Sequence, residues 1–125
     1  MTWTLLHDRM TFMTEVIHAA ETDPEAALEL GDRASEVSRL FGDEEGLLLS
    51  LRHRWMMTLV AKLDQAAHDD VPTQQARADL AAAQPGLHAL VELASRRSLR
   101  VRALSGSEQR AVAEFGGTTD RQTVA

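Results

Sequence analysis

Three groups of residues in this 125-residue chain have types and spacings that could do chemistry. The first is Glu15 and His18, a Glu-x-x-His pair. Residues three apart share a helix face, and carboxylate-bridged di-iron bundles use two such motifs with two further inward glutamates. A single copy is present, so no metal site is expected. Glu15 and His18 stay weak candidates that a symmetric second chain would have to complete; otherwise they are a solvated pair one turn apart.

The second group is basic. Arg96, Arg97, Arg100 and Arg102 fall within seven residues, with Arg110 further on. Such a cluster can neutralise phosphates, of DNA or of another anion. Two features oppose a conventional helix-turn-helix reading. The arginines sit at the far end of their helix, whereas recognition helices read bases with their first residues, and no aromatic residue interleaves them for base stacking. Basic residues near a helix C-terminus also stabilise that end.

The third group is Arg52 with Trp55. On a helix, Arg52 projects into the apolar arc between Leu48, Trp55 and Leu59. A guanidinium there must pair or snorkel. Glu36 or Glu29 is the expected partner, and the functional alternative is a pocket in which Arg52 and Trp55 meet an anionic ligand.

Other chemistries find no support. The chain has no cysteine, which removes disulfides, thiolate metal sites and cysteine nucleophiles. Phosphate-binding glycine loops, dinucleotide fingerprints and a Gly-x-Ser-x-Gly elbow are absent from the sequence. A non-catalytic protein is expected, without cofactor.

The elements that must position these residues are helical throughout. A stripe of Leu47, Leu48, Leu51, Trp55, Met56, Leu59, Val60, Leu63 and Ala66 recurs at spacings of three and four after Asp43-Glu44-Glu45, predicting a long amphipathic helix over 44–67. Asp23-Pro24-Glu25 starts a helix expected over 24–41, stopped by Gly42, so the two form an αα-hairpin. A first helix over Thr4–Glu21 carries two adjoining apolar stripes, wider than one surface face requires. Its Leu5, Phe12 and Val16, with Leu28 and Met57 on nominally polar faces, are the expected interface of a homodimer. An alanine-rich helix over 74–84, a break at Pro85-Gly86, a fifth helix reaching towards Leu104, a turn at Ser105-Gly106-Ser107 and a short last helix complete the expectation.

The fold class is therefore all-α, a small antiparallel bundle of four to six helices: one domain over 1–117 and a disordered tail over 118–125. Net charge is −6. Seven Lys/Arg oppose sixteen Asp/Glu in residues 1–95, and six Arg oppose three Asp/Glu in 96–125, so an acidic body carries a basic end. No membrane-spanning stretch or secretory leader is visible, which predicts a cytoplasmic protein. The leading functional expectation is a helical interaction or regulatory protein that self-associates and meets a protein partner. The alternatives are a small transcriptional regulator using Arg96–Arg110 and a small-ligand-binding bundle.

Overall fold

The structure, a computed structural model, describes the backbone of residues 2–124 and the side chains of that span except 107, 111 and 115–124. Helix α1 (Trp3–Ala20) begins where Thr2 Oγ1 accepts the Leu5 amide at 3.1 Å. Asp23 Oδ1 accepts the Ala26 amide at 3.2 Å, and Pro24 occupies the first position of α2 (Pro24–Ala27). Both are the side-chain caps that orphan N-terminal amides demand.

The single helix expected over 24–41 is interrupted. After α2 the chain turns at residues 28–30, makes a 3₁₀ turn over Gly31–Arg33, and resumes as α3 (Ala34–Phe41). Gly31 and Asp32 are poor helix formers, and the break resets the helical phase. Leu28, which an unbroken helix would turn to the face opposite Val37, is buried in the core, while Ala26 is left exposed.

Gly42 takes φ +89°, a left-handed conformation that favours glycine. It lets the chain reverse at once into α4 (Glu44–His68), whose first turn is capped by Asp43 Oδ1 accepting the Gly46 amide at 2.7 Å. Helix α4 is the spine, packing on α3, α5, α6 and α7. Leu47, Leu51, Trp55, Leu59 and Leu63 are fully buried along it. Its end is a Schellman turn: the Val71 amide donates to the Ala66 carbonyl at 2.9 Å, with Asp70 left-handed at φ +56°.

Helix α5 (Thr73–Ala83) buries Ala76 and Leu80, and its small side chains permit close approach to α4. Pro85 opens α6 (Pro85–Arg97). A Cβ on Gly86 would lie 2.2 Å from the Ile17 carbonyl oxygen, so only glycine allows α6 to meet α1 at this point.

Two expectations about the last third are corrected. The fifth helix stops at Arg97 rather than reaching Leu104. Ser98 is extended (ψ 125°), closes α6 with its amide on the Ala94 carbonyl, and caps the next helix by accepting the Val101 amide at 3.3 Å. Helix α7 (Leu99–Val124) then runs through Ser105-Gly106-Ser107 without a turn. Val101, Glu108 and Val112, seven and four residues apart, form its buried stripe against α4, α5 and α6. That burial outweighs the ~1 kcal/mol helix penalty of one glycine. The tail expected over 118–125 lies outside the described side chains.

The described residues are an all-α bundle, as expected. Helix α1 packs against α6, α2 and α3, so Phe12, Met13, Val16 and Ala20 of its two apolar stripes are covered by its own chain, while Leu6 and Met10 stay exposed. This corrects the proposed interface: Phe12, Val16 and Leu28 are core residues, and Leu5 is half-buried against them. Met57 alone of that set stays open, at 59% exposure. No helix among the described residues is long and apolar enough to cross a membrane.

Candidate functional site

The two residues singled out on α4 lie at the centre of the molecule. Arg52 is 2% exposed and Trp55 0%. The expected partner of Arg52 is corrected: Glu36 pairs with Arg33 at 2.8 Å and Glu29 is exposed. The counter-charge is Glu108 of α7, 56 residues away in sequence. Arg52 Nη1 donates to Glu108 Oε1 at 2.8 Å, and Nη2 donates to the Leu104 carbonyl at 2.7 Å. The Trp55 indole N–H donates to the same carboxylate oxygen. Arg77 of α5 takes the other oxygen, with Nη2 at 2.8 Å and Nε at 3.3 Å.

Four donors from three side chains thus converge on one carboxylate that is 6% exposed. Burial pushes the Glu108 carboxyl up, but the hydrogen bonds from Arg77, Arg52 and Trp55 together outweigh it and hold the group below its ordinary value. It is therefore charged at neutral pH and saturated as an acceptor, which makes it a poor general acid or base. One of the two arginines is sufficient to neutralise it. Arg52 Nε is buried and finds no acceptor among the described residues.

This ion cluster forms the wall of a cavity of about 440 Å³ between α4, α5, α6 and α7. His88 of α6 leans on Trp55 with ring centroids 5.2 Å apart, and its Nε2 lies 3.4 Å from Glu92. Val91 and Val112 add apolar surface, and Gln74 and Gln109 add amides. Ser95 and Ser105 share a hydroxyl contact of 3.3 Å.

A second concavity, about 420 Å³, opens on the opposite flank of α4. Leu6, Met10 and Met13 of α1, Phe41 of α3 and Leu49 of α4 make it apolar, and Arg9, His53 and Arg54 line it as well. Leu6 and Met10 are exposed, as are Met57 one turn beyond His53 and Val60 after it. Arg54 Nη1 is buried without an acceptor among the described residues.

The basic segment is dispersed by its own chain. Arg97 pairs with Glu44 at 3.0 Å and Arg100 with Glu45 at 3.2 Å, tying the α6–α7 junction to the acidic first turn of α4. Arg102 donates to the Ser95 and Arg96 carbonyls at the C-terminus of α6. Arg96 and Arg110 are exposed. Glu15 accepts from Arg33 at 2.9 Å, and His18 lies 3.6 Å from Glu21. No group of three metal-ligating side chains occurs among the described residues.

Sequence reasoning brought Arg52 and Trp55 together but missed Arg77, His88 and Glu108. A signal for Glu108 was present: it sits on the same helical stripe as Val101 and Val112, a carboxylate on an apolar face. The expected turn at Gly106 hid it by cutting that stripe in two. Arg77, next to the buried Ala76, carried no comparable pattern.

No protein-family model, curated protein or solved structure matches this chain, so its function has to be argued from these two concavities and the charges around them.

Proposed function

We propose that the protein is a non-catalytic interaction protein that receives an amphipathic helix with acidic flanks in the groove between α1 and α4. The carrying observation is an apolar floor of Met13, Phe41 and Leu49, left open beside the guanidinium groups of Arg9 and Arg54 in a chain of net charge −6. Grooves of this composition take the apolar face of a helix, read as anchors at i, i+3, i+4 and i+7. The local charge is opposite to that of the molecule, so an acidic partner is steered there and a basic one is not. Arg54 Nη1 is a desolvated donor that a partner's carboxylate would satisfy. Leaving a buried donor of that kind unsatisfied costs about 1–3 kcal/mol.

A second copy of this chain is the less favoured occupant. In a two-fold contact the same patch meets itself, which would bring the arginines of two grooves together. Phe12, Val16 and Leu28, on which self-association was expected to rest, are spent on the core.

The test is fluorescence anisotropy with two labelled helical peptides. They share Leu at i, i+3, i+4 and i+7 and differ only in flanks of Glu or Lys. The Glu-flanked peptide should bind at least tenfold tighter, shift amide NMR signals of Leu6, Met10 and His53, and lose affinity in Met10→Glu. Equal binding of both peptides, or shifts confined to another face, would overturn the proposal. So would light scattering that shows a concentration-dependent dimer whose interface covers this groove.

A further inference from the structure

The cavity on the other flank of α4 carries a separate inference. We infer that it is a binding site for a small organic monocarboxylate with an apolar body. Its inner wall places two guanidinium groups, Arg52 and Arg77, around one carboxylate, Glu108. The surplus is one positive charge. Two N–H groups of this pair find no protein acceptor among the described residues: the buried Arg52 Nε and Arg77 Nη1. The Arg77 side chain is one-third exposed, so its free edge is reachable from the cavity.

Guanidinium is the side chain that holds carboxylates in a fixed plane. A single surplus charge matches a monoanion better than a phosphate dianion, whose second charge would face Glu108 without compensation. Glu92, the other acid on this wall, is more than half exposed and lies 3.4 Å from His88 Nε2. It therefore repels a ligand only through solvent-screened distance. The rest of the wall suits an apolar body: the Trp55–His88 ring pair, Val91 and Val112. The amides of Gln74 and Gln109 make no side-chain hydrogen bond among the described residues and are available to fix orientation. About 440 Å³ lies within the size range of small-molecule pockets, roughly 300–1,000 Å³. This site does not touch the α1–α4 groove, so the two proposals fail independently.

The experiment is a titration of the full chain with sodium benzoate, its uncharged isostere benzamide, and inorganic phosphate, followed by calorimetry and NMR. Benzoate should bind with Kd near or below ~1 mM, a typical strength for a ligand of that size. It should shift the Trp55 indole and His88 ring signals and raise the melting temperature. Benzamide and phosphate should each bind at least tenfold more weakly. Arg77→Gln should reduce benzoate affinity at least tenfold. Because that variant also loosens Glu108, Ala113→Trp at the cavity wall serves as a second block that leaves the ion cluster intact. It should abolish benzoate binding while melting like the parent. Equal affinity for benzoate and benzamide, tighter binding of phosphate, no binding of benzoate at tens of millimolar, or retained binding in Ala113→Trp would each overturn the inference.

Discussion

Replacing Glu108 by alanine should be the most damaging single change on the surface of α7 that faces the bundle. The carboxylate is 6% exposed and accepts from Arg52, Trp55 and Arg77. Removing it leaves Arg52, itself 2% exposed, without a counter-charge. Breaking a buried pair in this way costs about 3–5 kcal/mol. The Trp55 indole N–H also loses its acceptor, although that loss overlaps with the first and is not added to it. Arg77 contributes less, because its side chain is one-third exposed; Arg77→Gln should cost about 1 kcal/mol once solvent screening is counted. Against a total stability of about 5–15 kcal/mol for a domain of this size, Glu108→Ala removes a large share. Urea unfolding would read the change as a lowered midpoint at constant slope. The double variant Arg52→Met with Glu108→Leu should recover most of the loss, because an apolar pair of similar volume removes the stranded charge. Two results would refute the reasoning: a cost below about 1 kcal/mol for Glu108→Ala, or strict additivity in the Arg52/Glu108 cycle.

The same carboxylate sets an acid limit. Glu108 is held below its ordinary value in the folded chain, so its contribution is complete above the unfolded value of about 4.3 and drains as pH falls through the lower folded value. Thermal melts from pH 7 to 3 should therefore steepen below about pH 4 in the parent and less so in Glu108→Ala. Asp70 occupies a left-handed position that glycine adopts without strain, and Asp70→Gly should stabilise by about 0.5 kcal/mol in urea melts. Gly106 lies inside α7, where an added Cβ would meet only Arg110 Nη1 at 3.9 Å. Gly106→Ala should accordingly stabilise by about 1 kcal/mol, whereas a loss would restore the turn expected there. Duplex DNA should bind no tighter than the non-specific range of about 10⁻⁴–10⁻⁶ M at physiological salt, since Arg97 and Arg100 are engaged by Glu44 and Glu45. Nanomolar, steeply salt-dependent anisotropy that vanishes when Arg96, Arg97 and Arg100 become alanine would reverse that conclusion.

The helices whose ends carry local chemistry were legible in the sequence. Asp23-Pro24, Gly42-Asp43 and Pro85 mark starts and stops through caps and fixed torsions that need no tertiary partner. The stripe on α4 was legible because a 25-residue helix repeats its pattern through many turns. Where a local signal was weak or had a competitor, reading failed. Gly31-Asp32 broke a helix whose apolar spacing could be drawn through it, and Ser98 ended one helix and started another where a single helix had been expected to continue towards Leu104. Gly106, a nominal breaker, was overruled by the burial of Val101 and Val112 on either side.

By itself, then, the sequence determined the helical class, the length of the spine and the burial of a lone arginine upon it. Those follow from periodicity and capping, which are interactions among residues a few positions apart. Tertiary structure decided which carboxylate answers that arginine, which oily side chains of α1 find cover at home, and which of them remain open beside Arg9 and Arg54. Each of those outcomes depends on how helices far apart in sequence come to lie side by side, and a helical period records which face turns inward but not what it meets there.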